Sequence, residues 1–360
     1  MKKQKVLVAM SGGVDSSVAA LLLKKRGFEV IGAFMKNWSD TKNDIGECTW
    51  IADRKVAMAI ASKIGIPLVT LDFEDEYKKD VVNPMFALYK KGITPNPDID
   101  CNNKVKFPLL WKAAEKLGAD FIATGHYIRK NSKKLLRAKD ESKDQSYFLY
   151  RINKDDISHS LFPIGDLTKV QVREIAKENG FENFDRKSTV GICFIGKVNL
   201  KKFLQARIPA KTGKIFDPDG KVIGFHDGIY YYTIGQRLGP RFGIEIERGK
   251  GQQLKRWYVA SKNLKKNEII AAPENHDLLY RKEITLKQPH WTNDKPKGNV
   301  NVKARIRQVG ELLPSKLYYD KSKKQYKITL NKPITGISEG QAAVLYHGVQ
   351  VIGGGVIEFD

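Results

Sequence analysis

The chain has 360 residues, 41% hydrophobic and 29% charged, so it is long enough for two or three domains and has the composition of an ordinary globular protein. It contains no apolar run near the ~18 residues that span a bilayer, and the strand after its basic N-terminus is too short for a signal peptide, which predicts a cytoplasmic protein with no membrane partner. The net charge of +23 is spread along the chain and fits either a nucleic-acid partner or a generally lysine-rich proteome.

The first ~200 residues alternate predicted strands and helices, which is typical of an α/β fold with a Rossmann-like parallel sheet. Strands are predicted at Val6–Met10, Phe28–Met35, Pro67–Leu71 and Phe121–Thr124. Helices are predicted at Ser16–Arg26, Trp50–Ile64, Tyr77–Lys91, Val105–Leu117, Thr168–Asn179 and Asn199–Ala206. Ligands of such sheets bind beyond the carboxyl ends of the strands.

After about residue 207 the pattern changes to short strands between turn signals such as Asp217-Pro218-Asp219-Gly220 and Asp320-Lys321-Ser322. This change favours a small β domain followed by a C-terminal β-barrel. We therefore predict a catalytic domain of the adenine nucleotide α-hydrolase type at residues 1–206, a central β-rich domain at 207–275 and a β-barrel-like domain at 276–360.

The first predicted strand runs directly into Ser11-Gly12-Gly13-Val14-Asp15-Ser16, which opens the first helix. A glycine-rich turn and a helix N-terminus place several backbone N–H groups around one point, which favours an anion. Asp15 suits such a site only if it holds Mg²⁺ or orients the loop. Neither the Walker pattern nor the dinucleotide fingerprint is present. The string resembles the PP-loop of the N-type ATP pyrophosphatases, which cleave ATP between its α and β phosphates, while an ordinary glycine-rich turn stays open as the alternative.

The three cysteines, Cys48, Cys101 and Cys193, include no CxxC pair, which disfavours a disulfide framework and a zinc site. Cys101 follows a proline-rich segment, and we predict it in a loop rather than in a packed helix. Cys193 lies in an apolar stretch between glycines. Each is either a small buried hydrophobe or a reactive thiol. Replacement of oxygen by sulfur needs a sulfur carrier such as a cysteine persulfide, whereas amide formation needs no thiol.

Motifs along most of the chain resemble those of the tRNA-specific 2-thiouridylase family. Besides the loop, they are Ala33–Trp38, Asn96–Asp98 with Cys101-Asn102, Thr124–Tyr127, Lys143–Leu149, Gly191–Gly196 and Tyr232–Arg237. The C-terminal third matches only at scattered positions such as Arg305–Arg307 and Gly340-Gln341. Ile306 stands where we expect an aromatic residue.

The resemblance implies thiolation at C2 of the wobble uridine (U34) in tRNAs for Lys, Glu and Gln, giving 2-thiouridine. ATP with Mg²⁺ adenylates the base oxygen, and there is no permanent cofactor and no metal beyond the ATP-bound Mg²⁺. Cys193 is then the persulfide carrier, loaded by a donor such as a cysteine desulfurase or a sulfur carrier protein. Cys101 is the nucleophile, which either frees sulfide or closes a transient disulfide with Cys193. Asp98 is either a general acid or base or a turn cap.

The resemblance also implies three sets of binding residues. We expect a monomer, since nothing in the sequence demands an obligate oligomer. The ATP set is Ala9, Met10, Ser11, Gly12, Gly13, Val14, Asp15, Ser16, Met35 and Gly125. The target base is contacted by Asn96, Pro97 and Asp98. The tRNA set is His126, Lys143, Asp144, Gln145, Arg305, Ile306 and Gln341.

Two rival hypotheses come from other classes. One is another PP-loop adenylating enzyme, such as an amidotransferase-type synthetase or a tRNA lysidine synthetase, which the cysteine pair disfavours. The other is a non-catalytic, ATP-gated RNA-binding module, which release of AMP and pyrophosphate in the presence of tRNA would exclude.

Overall fold

A computed structural model describes residues 3–41, 48–186, 193, 195, 199–239, 256–308 and 310–359. Seven strands precede residue 162. They are β1 (Lys5–Ala9), β2 (Glu29–Lys36), β3 (Leu68–Asp72), β4 (Phe121–Ala123), β5 (Ile128–Asn131), β6 (Lys134–Arg137) and β7 (Ser160–Leu161). Five of them form a parallel sheet of order β3-β2-β1-β4-β7. Val6, Leu7 and Val8 are fully buried, as expected of a central strand covered on both faces.

Nine α-helices accompany the strands in the described part of the chain. They are α1 (Val14–Lys25), α2 (Thr49–Ile64), α3 (Glu74–Tyr77), α4 (Asn83–Lys90), α5 (Pro97–Asp100), α6 (Phe107–Lys116), α7 (Lys154–His159), α8 (Lys169–Glu178) and α9 (Leu200–Gln205). The helices α1, α2 and α8 lie within two residues of their predicted bounds. Thr168 caps α8 through a reciprocal capping box with Gln171, which satisfies N–H groups that a helix start leaves open.

Two of the helices continue a π-helical turn, and in each the second residue after that turn is a proline. Lys78–Val82 joins α3 to α4, and Cys101–Lys106 joins α5 to α6. Pro84 and Pro108 have no backbone N–H, and in a regular helix each ring would crowd the carbonyl four residues before it. The wider turn accommodates that defect without ending the helix. The prediction that Cys101 lies in a loop is therefore wrong, because the prolines mark helix starts and a helix irregularity rather than a break.

The central part of the chain forms a second, five-stranded sheet of order β10-β11-β12-β8-β9. Its strands are β8 (Gly213–Phe216), β9 (Val222–His226), β10 (Arg237–Leu238), β11 (Trp257–Asn263) and β12 (Glu268–Pro273). Its core is continuous with that of the first domain, since Ile215 and Ile269 belong to the same buried cluster as Tyr77, Cys101 and Val105.

The C-terminal strands form an antiparallel barrel, which is closed by pairing between its first and last strands. They are β13 (Tyr280–Trp291), β14 (Val300–Arg305), β15 (Leu313–Asp320), β16 (Gln325–Thr335), β17 (Ala342–His347) and β18 (Gln350–Glu358). The hairpin β5–β6 of the first domain extends this sheet, with Leu136 opposite Gln350 and the Arg137 N–H donating to the Val349 carbonyl at 2.8 Å.

The predicted fold class is confirmed: a Rossmann-like parallel sheet, a small β domain and a C-terminal β-barrel follow one another along the chain. The division at residues 206 and 275 stays a prediction. None of the helices in the described ranges combines the length and apolarity that a membrane crossing requires.

Candidate active site

The phosphate loop leaves β1 and enters α1 at Val14. Gly12 has φ +76°, and a Cβ there would lie 2.5 Å from the backbone oxygen of Asp53. Only glycine fits this position, on grounds of both torsion and space. The Ser11 N–H donates to the Ser16 hydroxyl at 3.2 Å, and that hydroxyl donates to the Gly13 carbonyl at 3.0 Å. These bonds hold the turn in one shape without using the side chains of other elements.

The loop is braced from behind by residues that lie between 112 and 174 positions later in the chain. Asn183 Nδ2 and Arg186 donate to the Gly12 carbonyl at 2.9 and 3.2 Å. The buried Lys169 ammonium contacts both oxygens of Asp15 at 2.6 and 2.8 Å, and the Tyr127 hydroxyl donates to the same carboxylate at 2.8 Å. Of the two roles open to Asp15, this geometry fits orientation of the loop, because its charge is already paired within the protein.

The remaining residues of the predicted ATP set lie at the ends of neighbouring strands. Met35 is next to last in β2, and Gly125 follows β4 by two residues. A Cβ on Gly125 would lie 2.6 Å from the Ser16 backbone nitrogen, so this strand end packs directly on the first turn of α1. The carboxyl ends of β2, β1 and β4 thus meet at one edge of the sheet, as the topology requires.

The second half of the site is a pair of thiols. Cys101 is fully buried at the start of its π-helical turn, and Cys193 is half-buried; both are free cysteines. The two thiols form a hydrogen bond with each other. Asp98 Oδ1 accepts a hydrogen bond from the Cys193 N–H at 2.8 Å, and the Cys193 carbonyl accepts one from the Tyr77 hydroxyl. We call Tyr77, Asp98, Cys101, Lys106 and Cys193 the thiol centre.

The electrostatics of the thiol centre shift the pKa values of its two thiols in opposite directions. The hydrogen bond from Cys101 and the charge of Lys106 lower the pKa of Cys193 to about 7, although burial opposes them. Burial and the same hydrogen bond raise the pKa of Cys101 well above its usual value. Burial also raises the pKa of Asp98, against the hydrogen bond from Cys193 and the charge of Lys106. At neutral pH Cys193 is therefore partly thiolate while Cys101 remains a thiol, which is the state expected of a nucleophile beside its proton donor.

Two residues connect the loop to the thiol centre. Gly125 touches α1, and the next residue, His126, stacks on Phe107 with ring centroids 5.9 Å apart. Phe107 follows Lys106, whose Nζ lies 3.6 Å from Cys193 Sγ. His126 is 9% exposed, and its Nδ1 lies 2.8 Å from the Thr124 hydroxyl. Burial lowers the pKa of His126 well below its usual value, with a smaller contribution from Lys106.

Residues 92–95 of the first domain lead to the predicted target-base residues. They are held in place by the central sheet and by the barrel. Lys262 of the central sheet donates to the Gly92 carbonyl, and the hydroxyls of Thr94 and Thr233 lie 3.0 Å apart. Gln341 of the barrel donates to the carbonyls of Thr94 and Pro95 at 2.8 and 3.0 Å. These contacts fix the start of α5, where Asn96 is the N-cap residue and Pro97 the first helical residue.

The predicted tRNA residues are not all on the surface. Lys143 is exposed, and Gln145 and Gln341 are partly exposed. Asp144 is 2% exposed and accepts hydrogen bonds from buried Arg305 at 2.7 Å and Ser146 at 2.9 Å. Ile306 is likewise buried, with 3% exposure. The Asp144–Arg305 pair joins the first domain to the barrel, so a direct contact of either side chain with RNA stays a prediction.

Sequence reasoning missed several residues that build this site. Lys106 and Tyr77 lie in ordinary helical patterns and carry no motif of their own, while Lys169, Asn183 and Arg186 reach the loop only through the fold. Lys104 is exposed and Lys106 is buried, although they lie two residues apart; only the helix rotation at the π-helical turn separates them. The residues flanking Cys193 in the predicted motif, apart from Ile195, lie outside the described residues.

A glycine loop between a central parallel strand and a helix, joined to a pair of free thiols, defines a nucleotide-dependent α/β enzyme of the PP-loop class. Three family models match in order: the tRNA methyl transferase HUP domain over residues 4–197, the tRNA methyl transferase PRC-barrel domain over 201–273 and the aminomethyltransferase beta-barrel domain over 281–357.

Similar proteins match over almost the whole chain. The tRNA-specific 2-thiouridylase MnmA of Lactobacillus helveticus is 44% identical over 99% of this chain and 96% of its own length. Those of Pediococcus pentosaceus and Vibrio cholerae are 40% and 42% identical over 99% of this chain, and 95% and 96% of their own lengths. The chain belongs to the tRNA-specific 2-thiouridylase family.

Proposed function

We infer that this protein is an ATP-dependent tRNA sulfurtransferase that forms 2-thiouridine at the wobble position. The observation that carries the inference is the direct packing path from the phosphate loop, through Gly125, His126 and Phe107, to a thiol centre with one acidified sulfur. An adenylating amide synthetase or a lysidine synthetase has no use for such a sulfur, and a non-catalytic, ATP-gated RNA-binding module would need the loop but not an acidified thiol. The identity of the relatives supports the same substrate class.

In the first proposed step the uridine is activated. The C2 oxygen attacks the α-phosphate of ATP, a C2–O–AMP bond forms, and the bond to the β-phosphate breaks to release pyrophosphate. Ser11–Ser16 hold the departing pyrophosphate through backbone N–H groups and hydroxyls, while Met35 and Gly125 border the nucleoside. Mg²⁺ arrives with ATP as part of the substrate and neutralises phosphate charge. The base loses its N3 proton, and Asp98, whose pKa is raised by burial, is the candidate acceptor.

In the second proposed step sulfur replaces oxygen. A donor protein, such as a cysteine desulfurase or a sulfur carrier, loads Cys193 as a persulfide, whose terminal sulfur attacks C2 and expels AMP. The Cys101 thiolate then attacks Cys193 Sγ, so that the bond to the transferred sulfur breaks and the sulfur remains on C2 as a thiolate. This becomes the C2 thiocarbonyl when N3 regains a proton. The two cysteines end as a disulfide, which an external thiol reductant must reopen. In the variant order Cys101 attacks Cys193 Sγ of the persulfide first, and the disulfide forms as hydrogen sulfide anion leaves. That anion then attacks C2 and expels AMP.

Binding of tRNA rests on the positive charge and on the partly exposed residues Lys143, Gln145 and Gln341. Phosphate contacts supply salt-dependent affinity, and recognition of one unstacked base by Asn96–Asp98 supplies specificity. We propose that the protein acts as a monomer, since the site is assembled within one chain.

The test is nucleoside mass spectrometry of tRNA incubated with the protein, MgATP, a cysteine desulfurase with cysteine, and a thiol reductant. The wild type and the Cys48→Ser variant are expected to form 2-thiouridine, because the Cys48 thiol donates to the Ser39 carbonyl at 3.1 Å and has no part in the proposed relay. Cys101→Ser and Cys193→Ser are expected to lose product by at least about 10³-fold while still releasing pyrophosphate in the first turnover. Absence of 2-thiouridine with the wild type would refute the function, and product from either serine variant at the wild-type rate would refute the relay.

A further inference from the structure

A buried lysine lies inside the thiol centre. Lys106 closes the π-helical turn that Cys101 opens, so the two side chains come from opposite ends of one short segment. Lys106 is 9% exposed, and its Nζ donates to Cys193 Sγ at 3.6 Å, a normal distance for a hydrogen bond to sulfur. An ammonium group is costly to remove from water unless negative charge compensates it. The position therefore implies a compensating anion in the same pocket.

Among the described residues, several ionisable groups face Lys106 and can supply that anion. Asp98, Cys101 and Cys193 act on it electrostatically, Tyr77 joins the same cluster, and His126 lies close enough to feel its charge. His126 is held neutral, and the pKa values of Cys101 and Tyr77 are raised by burial. Burial lowers the pKa of Lys106, but its interactions with Cys193, Cys101 and Asp98 outweigh burial and raise it overall. The ammonium is thus matched to an anion at Cys193 or Asp98.

We propose that Lys106 is a further catalytic residue of the sulfur relay, whose ammonium holds the Cys193 sulfur as the anion that accepts the incoming sulfur. This inference rests on the proposed function. In the loading step the Cys193 thiolate attacks the terminal sulfur of a donor persulfide; a new S–S bond forms at Cys193, and the donor leaves as its own thiolate. No net oxidation occurs, because one persulfide replaces another.

The same charge serves the later steps. After loading, the negative charge resides on the terminal sulfur, one bond from Cys193 Sγ. When Cys101 attacks as a thiolate, its charge is generated inside the same pocket, and Lys106 opposes the burial that otherwise disfavours it. A fixed cation beside three successive sulfur anions lowers the cost of each without any movement of the protein.

The experiment measures the pH dependence of Cys193 alkylation by iodoacetamide, followed by peptide mass spectrometry, so that it does not require tRNA, ATP or turnover. Thiolate is the reactive form, so the wild-type rate is expected to rise with pH through a midpoint near 7. In Lys106→Met the midpoint is expected to move up by about one pH unit or more, which is a roughly ten-fold lower thiolate fraction at neutral pH. Lys106→Arg keeps the charge and is expected to keep most of the low midpoint.

The matched control is Lys104→Met, on the same turn. Lys104 is exposed, and its Nζ pairs with Asp100 at 3.3 Å rather than with sulfur. The Cys193 alkylation midpoint of Lys104→Met is therefore expected to match that of the wild type. Thermal unfolding of each variant shows whether it is folded. If Lys106→Met is not folded, the Cys193 alkylation midpoint of Lys106→Arg is used for the test instead. An unchanged midpoint in folded Lys106→Met overturns the proposal even if the wild type thiolates tRNA. Failure of wild-type thiolation with a shifted midpoint overturns only the proposed function.

Discussion

The phosphate loop and the thiol centre are connected through Gly125 and His126, but the chain builds them in opposite ways. The loop is six consecutive residues whose turn is set by backbone torsions and local hydroxyl bonds, and Lys169, Asn183 and Arg186 then brace it from outside. The thiol centre collects side chains from α3, α5, the following π-helical turn and Cys193, and its core extends into the central β domain. The loop therefore tolerates little change in backbone shape, whereas the thiol centre depends on charges that single substitutions and pH can adjust.

The largest expected effect is on the thiol-centre side. Asp98→Asn keeps an oxygen that can accept the Cys193 N–H but removes the proton-exchanging carboxyl. If Asp98 transfers a proton at the base, thiolation in single turnovers is expected to fall by about 10²-fold or more. The measurement is 2-thiouridine formation against pH, beside the alkylation midpoint of Cys193.

The alternative role for Asp98, capping of the turn, predicts a different result. A cap is preserved by asparagine, so near wild-type thiolation in Asp98→Asn would assign Asp98 to structure alone. Because the carboxylate charge of Asp98 raises the pKa of Cys193, the asparagine variant is expected to move the alkylation midpoint down in either case.

On the loop side, Gly12→Ala is expected to lower tRNA-dependent pyrophosphate release by about 10²-fold, since displacement of the phosphate site by around 1 Å costs that much. The cause is the contact with the Asp53 carbonyl together with the positive φ. Gly27→Ala is the matched control: its φ is +89°, but a Cβ there meets nothing within 4 Å. Because the phosphate loop and the thiol centre are built from different parts of the chain, we expect the Cys193 alkylation midpoint of Gly12→Ala to stay at the wild-type value. A shifted midpoint would show that the shape of the loop influences the charges of the thiol centre.

The smallest expected effect concerns the support of the loop. Asp15→Asn leaves the buried Lys169 ammonium without its charge partner and is expected to lower the free energy of unfolding by about 1–3 kcal/mol, measured by urea denaturation. Asp166→Asn is the control, because its pair with Arg129 spans 3.7 Å at a carboxylate that is 79% exposed, where ion pairs contribute little. Equal stability of both variants would mean that Lys169 does not depend on Asp15.

The difference between a contiguous loop and a thiol centre assembled from distant segments also explains which features could be predicted from the sequence. The loop was readable because its residues are adjacent, and the helices around the sheet because glycines such as Gly27, Gly65 and Gly180 end them with positive φ. Cys101 was misplaced because the prolines around it are typical of loops, and here they are accommodated by a π-helical turn. Lys106 could not be distinguished from Lys104, since burial of one of two nearby lysines depends on contacts with Cys193, a residue far along the chain.

Asp144 and Arg305 were predicted from the sequence to contact tRNA, but the structure places both of them in the interior. Both belong to motifs that resemble RNA-contacting positions, yet they pair with each other across 161 positions of sequence and lie inside the protein. Sequence alone cannot distinguish a charge that faces RNA from one that faces another domain, because both require a polar residue at a fixed place.

The hairpin β5–β6 has a consequence for synthesis of the protein. Its neighbour in the barrel sheet is β18, so the hairpin edge is unpaired while roughly 200 further residues are made, about 10–40 s at ordinary elongation rates. Tyr147 has the same dependence, since its hydroxyl donates to the Ala342 carbonyl at 3.0 Å. A ribosome-bound chain can therefore close its parallel sheet early, but the contacts of Gln341 with Pro95 and of Ala342 with Tyr147 form only after residues 341 and 342 have been made.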